Sequence, residues 1–409
     1  MGFWDELSGN WAIWLIPLIS GLVGWGTNVL AVEMMFKPTE FRGIRPFFGW
    51  QGIVPGSAML LAQRSTDLIT GQLLTLKQLF AGFDAERMAG DMKPALDQLG
   101  DEMISEFSQG PGAEGWNRMA EPAQQVVRTL IHKEMRDIAV QVLRDIHQDI
   151  ERIVDLKEVV MSTVAKERSL IAELFLEVGG AEFRFIRNSG AYFGMLFGII
   201  QMAIWVFFPV WWILPLAGFG VGYATNWLAL KLIFEPASPY KVGPVVIQGL
   251  FHKRQQEVSE KFSSNIAGRV MNPENIVRTI STGEPHAVLM GIVERRIKAM
   301  LDKYASNPMM ATLMPEGERE SFQRQLKKRM AEELPRPGGF LYSFADGAMD
   351  IRGEIHRRMS SLDPKNFEGV LRPAFQQDEW KLIVIGAVLG LGAGFLQLVT
   401  LFGEVWAQV

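Results

Sequence analysis

Between Gly190 and Leu230 the chain carries no charged residue. A membrane span needs about 20 mostly apolar residues to cross about 30 Å of hydrocarbon. This stretch is too long for one helix, and Pro209 and Pro215 fall inside it. It reads as two spans, about 190–208 and 211–234, joined by a tight turn near Phe208-Pro209. Two further regions qualify, from about Trp11 to Phe36 and from about Leu382 to Phe402. Four spans are expected.

The composition suits a chain only partly in lipid: 409 residues, 48% hydrophobic and 21% charged. A net charge of −4 sets up no basic field, so no nucleic-acid partner is expected. The chain has no cysteine, which excludes disulfides, thiolate metal sites and cysteine nucleophiles. Its five histidines, His132, His147, His252, His286 and His356, are scattered, so neither a metal site nor another cofactor is expected. The start, Met1-Gly2-Phe3-Trp4-Asp5-Glu6, is acidic, whereas a cleavable signal peptide opens with basic residues. The first apolar stretch is therefore expected to stay in place.

Lys and Arg near span ends set orientation. Lys37, Arg42 and Arg45 follow the first span, and Arg184 and Arg187 precede the second. Lys241, Lys253 and Arg254 follow the third, and Lys381 precedes the fourth. Asp5, Glu6, an uncharged turn and Glu404 occupy the other side. The long segments between spans are thus expected in the cytoplasm and both termini outside.

Trp14 to Pro38 matches Trp212 to Pro236 at a constant offset of 198, with 11 of 25 positions identical and no gap. WLIPLISGLVGWGTNVLAVEMMFKP stands against WILPLAGFGVGYATNWLALKLIFEP. Apolar composition alone would not place Pro17/Pro215, Gly24/Gly222, Thr27/Thr225, Asn28/Asn226 and Phe36/Phe234 in register. The other two spans match as well. Gly190-Ala191, Gly194, Gly198 and Gln201 align with Gly386-Ala387, Gly390, Gly394 and Gln397. A period near 200 residues means a duplicated domain, not a solenoid. Both copies run the same way, so a parallel repeat about an axis along the membrane normal is expected. The expected architecture is an all-α integral membrane protein with four transmembrane helices in two parallel tandem repeats, each with a long helical soluble arm. The divisions are 1–38, 39–185 (arm 1), 186–210, 211–236, 237–378 (arm 2) and 379–409.

Apolar residues at Val127, Ile131, Ile138, Val142, Ile146 and Ile150 keep helical spacing and predict a helix over 121–154, about 50 Å long. A second helix is predicted from Pro285 to Tyr304. No strand-like alternation stands out. Loop signals sit at Gly110-Pro111-Gly112, Asn307-Pro308 and Pro335-Arg336-Pro337-Gly338-Gly339. The stripes suit packing within each arm, or an extended arm packing on other subunits.

The intramembrane polar residues Thr27, Asn28, Gln201, Thr225, Asn226 and Gln397 are the most specific local feature. Amides are costly in hydrocarbon unless hydrogen-bonded. They act either as glue between helices brought close by glycine, or as a polar site for an ion or lipid head group. Glu33 aligns with Lys231 and Lys37 with Glu235, with signs exchanged. Each pair stands at i, i+4, which favours a local ion pair. Glu33 facing Lys231 and Lys37 facing Glu235 across the repeat axis would instead set the register of the halves. His252-Lys253-Arg254, beside the third span, offers contact to anionic lipid head groups, or serves only as a topology signal. Asp145-Ile146-His147 and Glu354-Ile355-His356 carry potential metal ligands but lack further ones. No Walker loop, G-x-S-x-G elbow or H-E-x-x-H element occurs.

The repeated G-x-x-T-N-x-x-A-x-x-x-x-F-x-P, the run from Glu173 to Ile186, the Ser189-Gly190-Ala191-Tyr192-Phe193-Gly194 junction and the Asp378-Glu379-Trp380-Lys381-Leu382-Ile383 entry resemble the YheB/YjiN-like family of bacterial membrane proteins. The resemblance covers nearly the whole chain. It implies a bacterial cytoplasmic-membrane protein and brings no substrate or catalytic residue. The expected function is a non-enzymatic, homo-oligomeric inner-membrane scaffold that organises membrane or envelope, with membrane lipid as partner. A transporter or channel, with lipid as one candidate cargo and a polar intramembrane site, is the alternative, and a membrane-bound enzyme the weaker one.

Overall fold

The computed structural model describes residues 11–44, 48–68, 70–71, 76–80, 82–110, 113–305, 316–337, 339–347, 349–372, 376 and 379–406. Asp5, Glu6, Arg45, Pro111-Gly112, Asn307-Pro308, Gly338 and Asp378 lie outside the described residues. The elements used below are, in chain order, α1 (Leu15–Phe36), β1 (Arg42–Ile44), β2 (Phe48–Trp50), α2 (Lys93–Gln109), α3 (Glu121–Gln148), α4 (Gly180–Phe207), α5 (Ile213–Phe234), β3 (Tyr240–Val242), β4 (Val245–Ile247), α6 (Gly283–Ala305), α7 (Glu316–Glu333) and α8 (Glu379–Leu401).

The chain divides into two compact units. One combines residues 1–69, 164–262 and 356–409; the other combines 70–163 and 263–355. The first, the membrane unit, holds four helices long and apolar enough to cross a membrane: Trp11–Phe36, Gly180–Phe207, Ile213–Phe234 and Glu379–Leu401. The protein is therefore an all-helical integral membrane protein. The first of these begins as a 3-10 turn, Trp11–Trp14, before α1. Helix α4 starts ten residues before the expected span, at Gly180, and so includes Glu182, Arg184 and Arg187. No proline interrupts it there, and the carboxylate of buried Glu182 is met by Arg254. The α4–α5 link is short, with Val210 N–H donating to Phe208 O at 2.8 Å.

Within the membrane unit α1 packs along α4, and α5 along α8. Both interfaces are backbone against backbone. A Cβ added at Gly24 would overlap the Gly190 carbonyl oxygen, and one at Gly222 would overlap that of Gly386. Glycine at these positions lets dispersion contacts and polar bonds form at close range, which is how helices associate where water supplies no hydrophobic drive. The end near the α4–α5 turn is sealed by Ile13, Ile16, Trp205, Ile213, Leu214, Leu398 and Phe402.

Two short antiparallel hairpins, β1–β2 and β3–β4, were not expected from the sequence. Each follows a span and a cis-proline, Lys37-Pro38 or Glu235-Pro236. Gly52 N–H then returns to Pro38 O and Gly249 N–H to Pro236 O, both at 2.9 Å. A Cβ at Gly52 would meet the Phe36 backbone, and one at Gly249 the Phe234 backbone. Residues 39–69, 164–185, 237–262 and 356–378, at the ends of the two arm segments, belong to the compact unit that holds the membrane helices.

The second unit is a helical assembly. Helix α3 is one continuous run to Gln148 and breaks at Asp149, short of the expected Val154. Its buried Met135, Ala139, Val142, Leu143 and Ile146 are the later part of the apolar stripe. Antiparallel to it, α6 supplies Arg296 to Asp145 (Nε, 2.7 Å) and Lys303 to Glu134 (2.8 Å). Helix α7 joins through Arg329 to Glu102 of α2 at 2.5 Å, and α2 lies along α3. The predicted 285–304 helix is present as α6.

Candidate functional site

Asn28 and Asn226 are the centre of the membrane unit's polar chemistry. Both side chains are buried, at 0% and 2% exposure. Asn28 Nδ2–H donates to the Ile186 carbonyl at 2.6 Å, and Asn226 Nδ2–H donates to the Leu382 carbonyl at 2.8 Å. Each amide crosses from one helix to a backbone acceptor of its neighbour. Gly190 and Gly386 stand against the two amides, because a side chain at either would collide with them. Thr27 and Thr225 do not cross. Their hydroxyls donate to Gly24 O (3.1 Å) and Gly222 O (3.3 Å), one turn back in the same helix. Such back-bonding satisfies a hydroxyl without a partner helix.

The two glutamines part company. Gln201 Oε1 accepts from Ser20 Oγ–H at 3.0 Å, which ties α1 to α4 a second time. Gln397 is equally buried, and among the described residues nothing hydrogen-bonds it. Ser20, which the sequence reading overlooked, aligns with Gly218; the signal lay in a polar residue opposite glutamine in one copy only. Among the described residues, one amide atom of each of these four side chains has no hydrogen-bond partner: Asn28 Oδ1, Asn226 Oδ1, Gln201 Nε2 and Gln397 Nε2.

The charge pairs stay within their helices. Lys37 Nζ lies 3.0 Å from Glu33, and Lys231 Nζ lies 3.6 Å from Glu235. The expected facing of Glu33 to Lys231 and Lys37 to Glu235 is not what the structure contains. The i, i+4 spacing brings each partner within reach along its own helix, and all four side chains are about half-exposed or more, which leaves little drive to cross. Lys231 also sits over the Trp227 ring, 4.9 Å from its centroid.

His252, Lys253 and Arg254 do not form one head-group patch. His252 is 4% exposed and its Nε2 lies 3.3 Å from Glu368 Oε2, while Phe251 stacks on Phe367 beside it. Glu368 is also paired with Arg372, whose guanidinium covers the Phe234 ring. Arg254 turns inward to Glu182 (2.5 Å) and to Glu257 (2.6 Å). Only Lys253 points to solvent. The cause is simple: Glu182 is a buried acid and Glu368 is only 13% exposed, and such acids need cationic or donor partners more than a solvated cation needs a lipid. Arg254 and then Lys261 hydrogen-bond Glu257 and hold its carboxyl at about 2, well below the usual range.

In the helical unit the first acid-Ile-His element is otherwise engaged. Asp145 is held by Arg296, and the His147 ring stacks on Phe83 with centroids 4.8 Å apart. Among the described residues no three acidic or histidine side chains gather as a metal site. The same unit contains a cavity of about 250 Å³, largely apolar, between α2, α3, α6 and α7, with Glu102, Glu333 and Arg336 at its rim.

No family model matches this chain, and no solved structure does. Curated relatives do. A "UPF0754 membrane protein" of Gloeothece citriformis is 37% identical over 78 residues, covering 18% of each chain. One of Synechococcus sp. (strain JA-2-3B'a(2-13)) is 26% identical over 161 residues, or 37% of this chain and 39% of the relative. One of Rippkaea orientalis is 27% identical over 134 residues, 31% of each. The matches thus span between about a fifth and two fifths of the relatives' length. Four apolar helices and these partial likenesses agree: the chain is similar to bacterial membrane proteins whose own function is uncharacterised.

Proposed function

We propose that the protein is a non-catalytic, oligomeric organiser of the bacterial inner membrane, with four membrane-spanning helices as its anchor and the long segments between spans in the cytoplasm. The observation that carries this reading is the use of Asn28 and Asn226. Both buried amides bind backbone carbonyls across glycine contacts, as structural staples do. An interhelical bond of this kind contributes about 0.6–1 kcal/mol, enough to lock helices already in contact. We also read the matching segments as tandem copies of one unit, and the chain as YheB/YjiN-like on the motifs they share. Lipid is the partner this reading requires, and positive residues at the span ends favour the cytoplasmic placement of those segments.

One observation favours a second reading, a transporter or channel. The four partnerless polar atoms of Asn28, Asn226, Gln201 and Gln397 could serve a polar solute moving between helices. The double variant Asn28→Ala, Asn226→Ala separates the two. An organiser loses assembly size in nanodiscs, whereas a transporter keeps its size and loses flux. A double variant that keeps both its size and its phenotype-complementing ability would sink the organiser reading.

A further inference from the structure

The two β-hairpins take part in none of the contacts described above, yet both occupy the same place, immediately after a span. Residues 37–41 and 235–239 alone separate the ends of α1 and α5 from β1 and β3. The return bonds from Gly52 and Gly249 hold both legs of each ribbon at the end of its helix. A two-stranded ribbon is marginal in water unless an apolar face is covered. Here four apolar side chains are open: Ile44 is 76% exposed, Tyr240 65%, Val246 50% and Ile247 41%. Neither ribbon is extended by a third described strand. Arg42 and Lys241, beside them, are exposed as well.

The exposed apolar surface continues onto the spans. Leu22 and Leu30 on α1, and Phe219 and Trp227 on α5, face outward. The Glu33–Lys37 and Lys231–Glu235 pairs stand at the ends of those apolar helices, and the ribbons follow directly. Apolar tips flanked by single cations at that level match the chemistry of the lipid interface: acyl boundary on one side, phosphate on the other.

We propose that β1–β2 and β3–β4 are paired membrane-surface anchors, with Ile44, Tyr240, Val246 and Ile247 seated in the head-group layer and Arg42 and Lys241 against anionic phosphates. Interfacial elements bury their apolar face roughly 5–10 Å into the head-group and acyl boundary. The two anchors brace the ends of α1 and α5 against tilt, whether the protein organises membrane or moves a solute through it.

The chain has no cysteine, so single labels can be placed at will. The full chain carrying Ile44→Cys or Val246→Cys, labelled with an environment-sensitive fluorophore, is reconstituted in nanodiscs of phosphatidylcholine with phosphatidylglycerol. Leu22→Cys serves as the lipid-facing reference and Gln256→Cys as the solvent-facing one. Quenching by shallow spin-labelled lipid is expected at both hairpin sites, at about half the level of Leu22→Cys or more, with little quenching by iodide. Adding Arg42→Gln and Lys241→Gln should reduce lipid quenching in the anionic discs and leave it unchanged in pure phosphatidylcholine. Iodide quenching equal to that of Gln256→Cys would overturn the proposal. So would a short label-to-label distance between two copies in one disc, since it would mean that the ribbons pair edge to edge with a second chain.

Discussion

The helix pair α1–α4 and the helix pair α5–α8 agree in their backbone and differ in their polar side chains. Both pairs meet through glycine against carbonyl, and both carry one asparagine bound to a neighbouring backbone oxygen. In the first pair Ser20 reaches Gln201; in the second, Gly218 stands in its place and Gln397 has no side-chain hydrogen bond among the described residues. At the junctions, Glu182 of α4 receives Arg254, whereas Glu379 of α8 makes no described ion pair. The residue matching Arg254 is Ser57, which cannot neutralise an acid. Close backbone approach tolerates no change, because every added atom collides. Peripheral polar groups can change one at a time, because each affects a single bond. What the two pairs share is therefore packing, and what separates them is local chemistry.

The strongest way to break this comparison is Gly222→Leu. Its side chain would be driven into the Gly386 backbone, so a loss of more than about 3 kcal/mol is expected, seen as a collapse of thermal stability in detergent. Gly24→Leu should do the same to the first pair. If either melts with the parent protein, close approach does not hold that pair.

Arg254→Ala leaves Glu182 buried and unpaired, and should lower stability by about 3 kcal/mol, with Glu182→Gln restoring part of it. Glu379→Gln, at the start of α8, should change stability by less than about 0.5 kcal/mol, since no described pair is broken. Equal effects at the two sites, measured by denaturation in the same detergent, would remove the asymmetry.

A swap sharpens the difference further. Ser20→Gly should cost about 0.6 kcal/mol, the value of one interhelical bond. Gly218→Ser copies the first pair's residue into the second yet should cost about 2 kcal/mol, because a Cβ there overlaps the Gly390 carbonyl. A stabilising Gly218→Ser, by recruiting Gln397, would show the second pair to be looser than its geometry.

The smallest effect concerns acid. The carboxyl of Glu257 is held at about 2 by Arg254 and Lys261, below its ordinary 4.5. A depressed folded value means that its contribution is complete above about pH 4.5 and is lost as pH falls towards 2. The side chain is 49% exposed, so solvent screening limits this to about 0.5 kcal/mol. Stability measured across that window should fall slightly less steeply for Glu257→Gln than for the parent chain.

Much of the membrane unit was legible because its signals are long and local. Four apolar runs, Pro17 and Pro215 near the starts of two of them, and the Thr-Asn register can be read without knowing any contact. The amides at Asn28 and Asn226 announced themselves through the cost of burying them. The hairpins were missed although Val242-Gly243-Pro244-Val245 offers β-branched residues about a Gly-Pro turn, and Gly243 does adopt a left-handed φ of 60°. Their strands are three residues long, too short for alternation to register against the adjoining helices. The head-group patch was misjudged because a row of cations looks the same whether its partners are lipid or a buried acid far along the chain.

By itself the sequence determined that the chain enters the membrane four times, that glycine and amide positions recur at a set offset, and that thiolate chemistry is absent. These depend on composition and on spacing along one helix, both of which a string of residues contains. Only the tertiary structure decided which acid takes Arg254, and that Gln201 meets Ser20 while Gln397 has no side-chain partner among the described residues. Those outcomes rest on distances between residues some 72 to 181 positions apart. The energy of a buried polar group is settled by its nearest neighbour in space, and the order of residues does not name that neighbour.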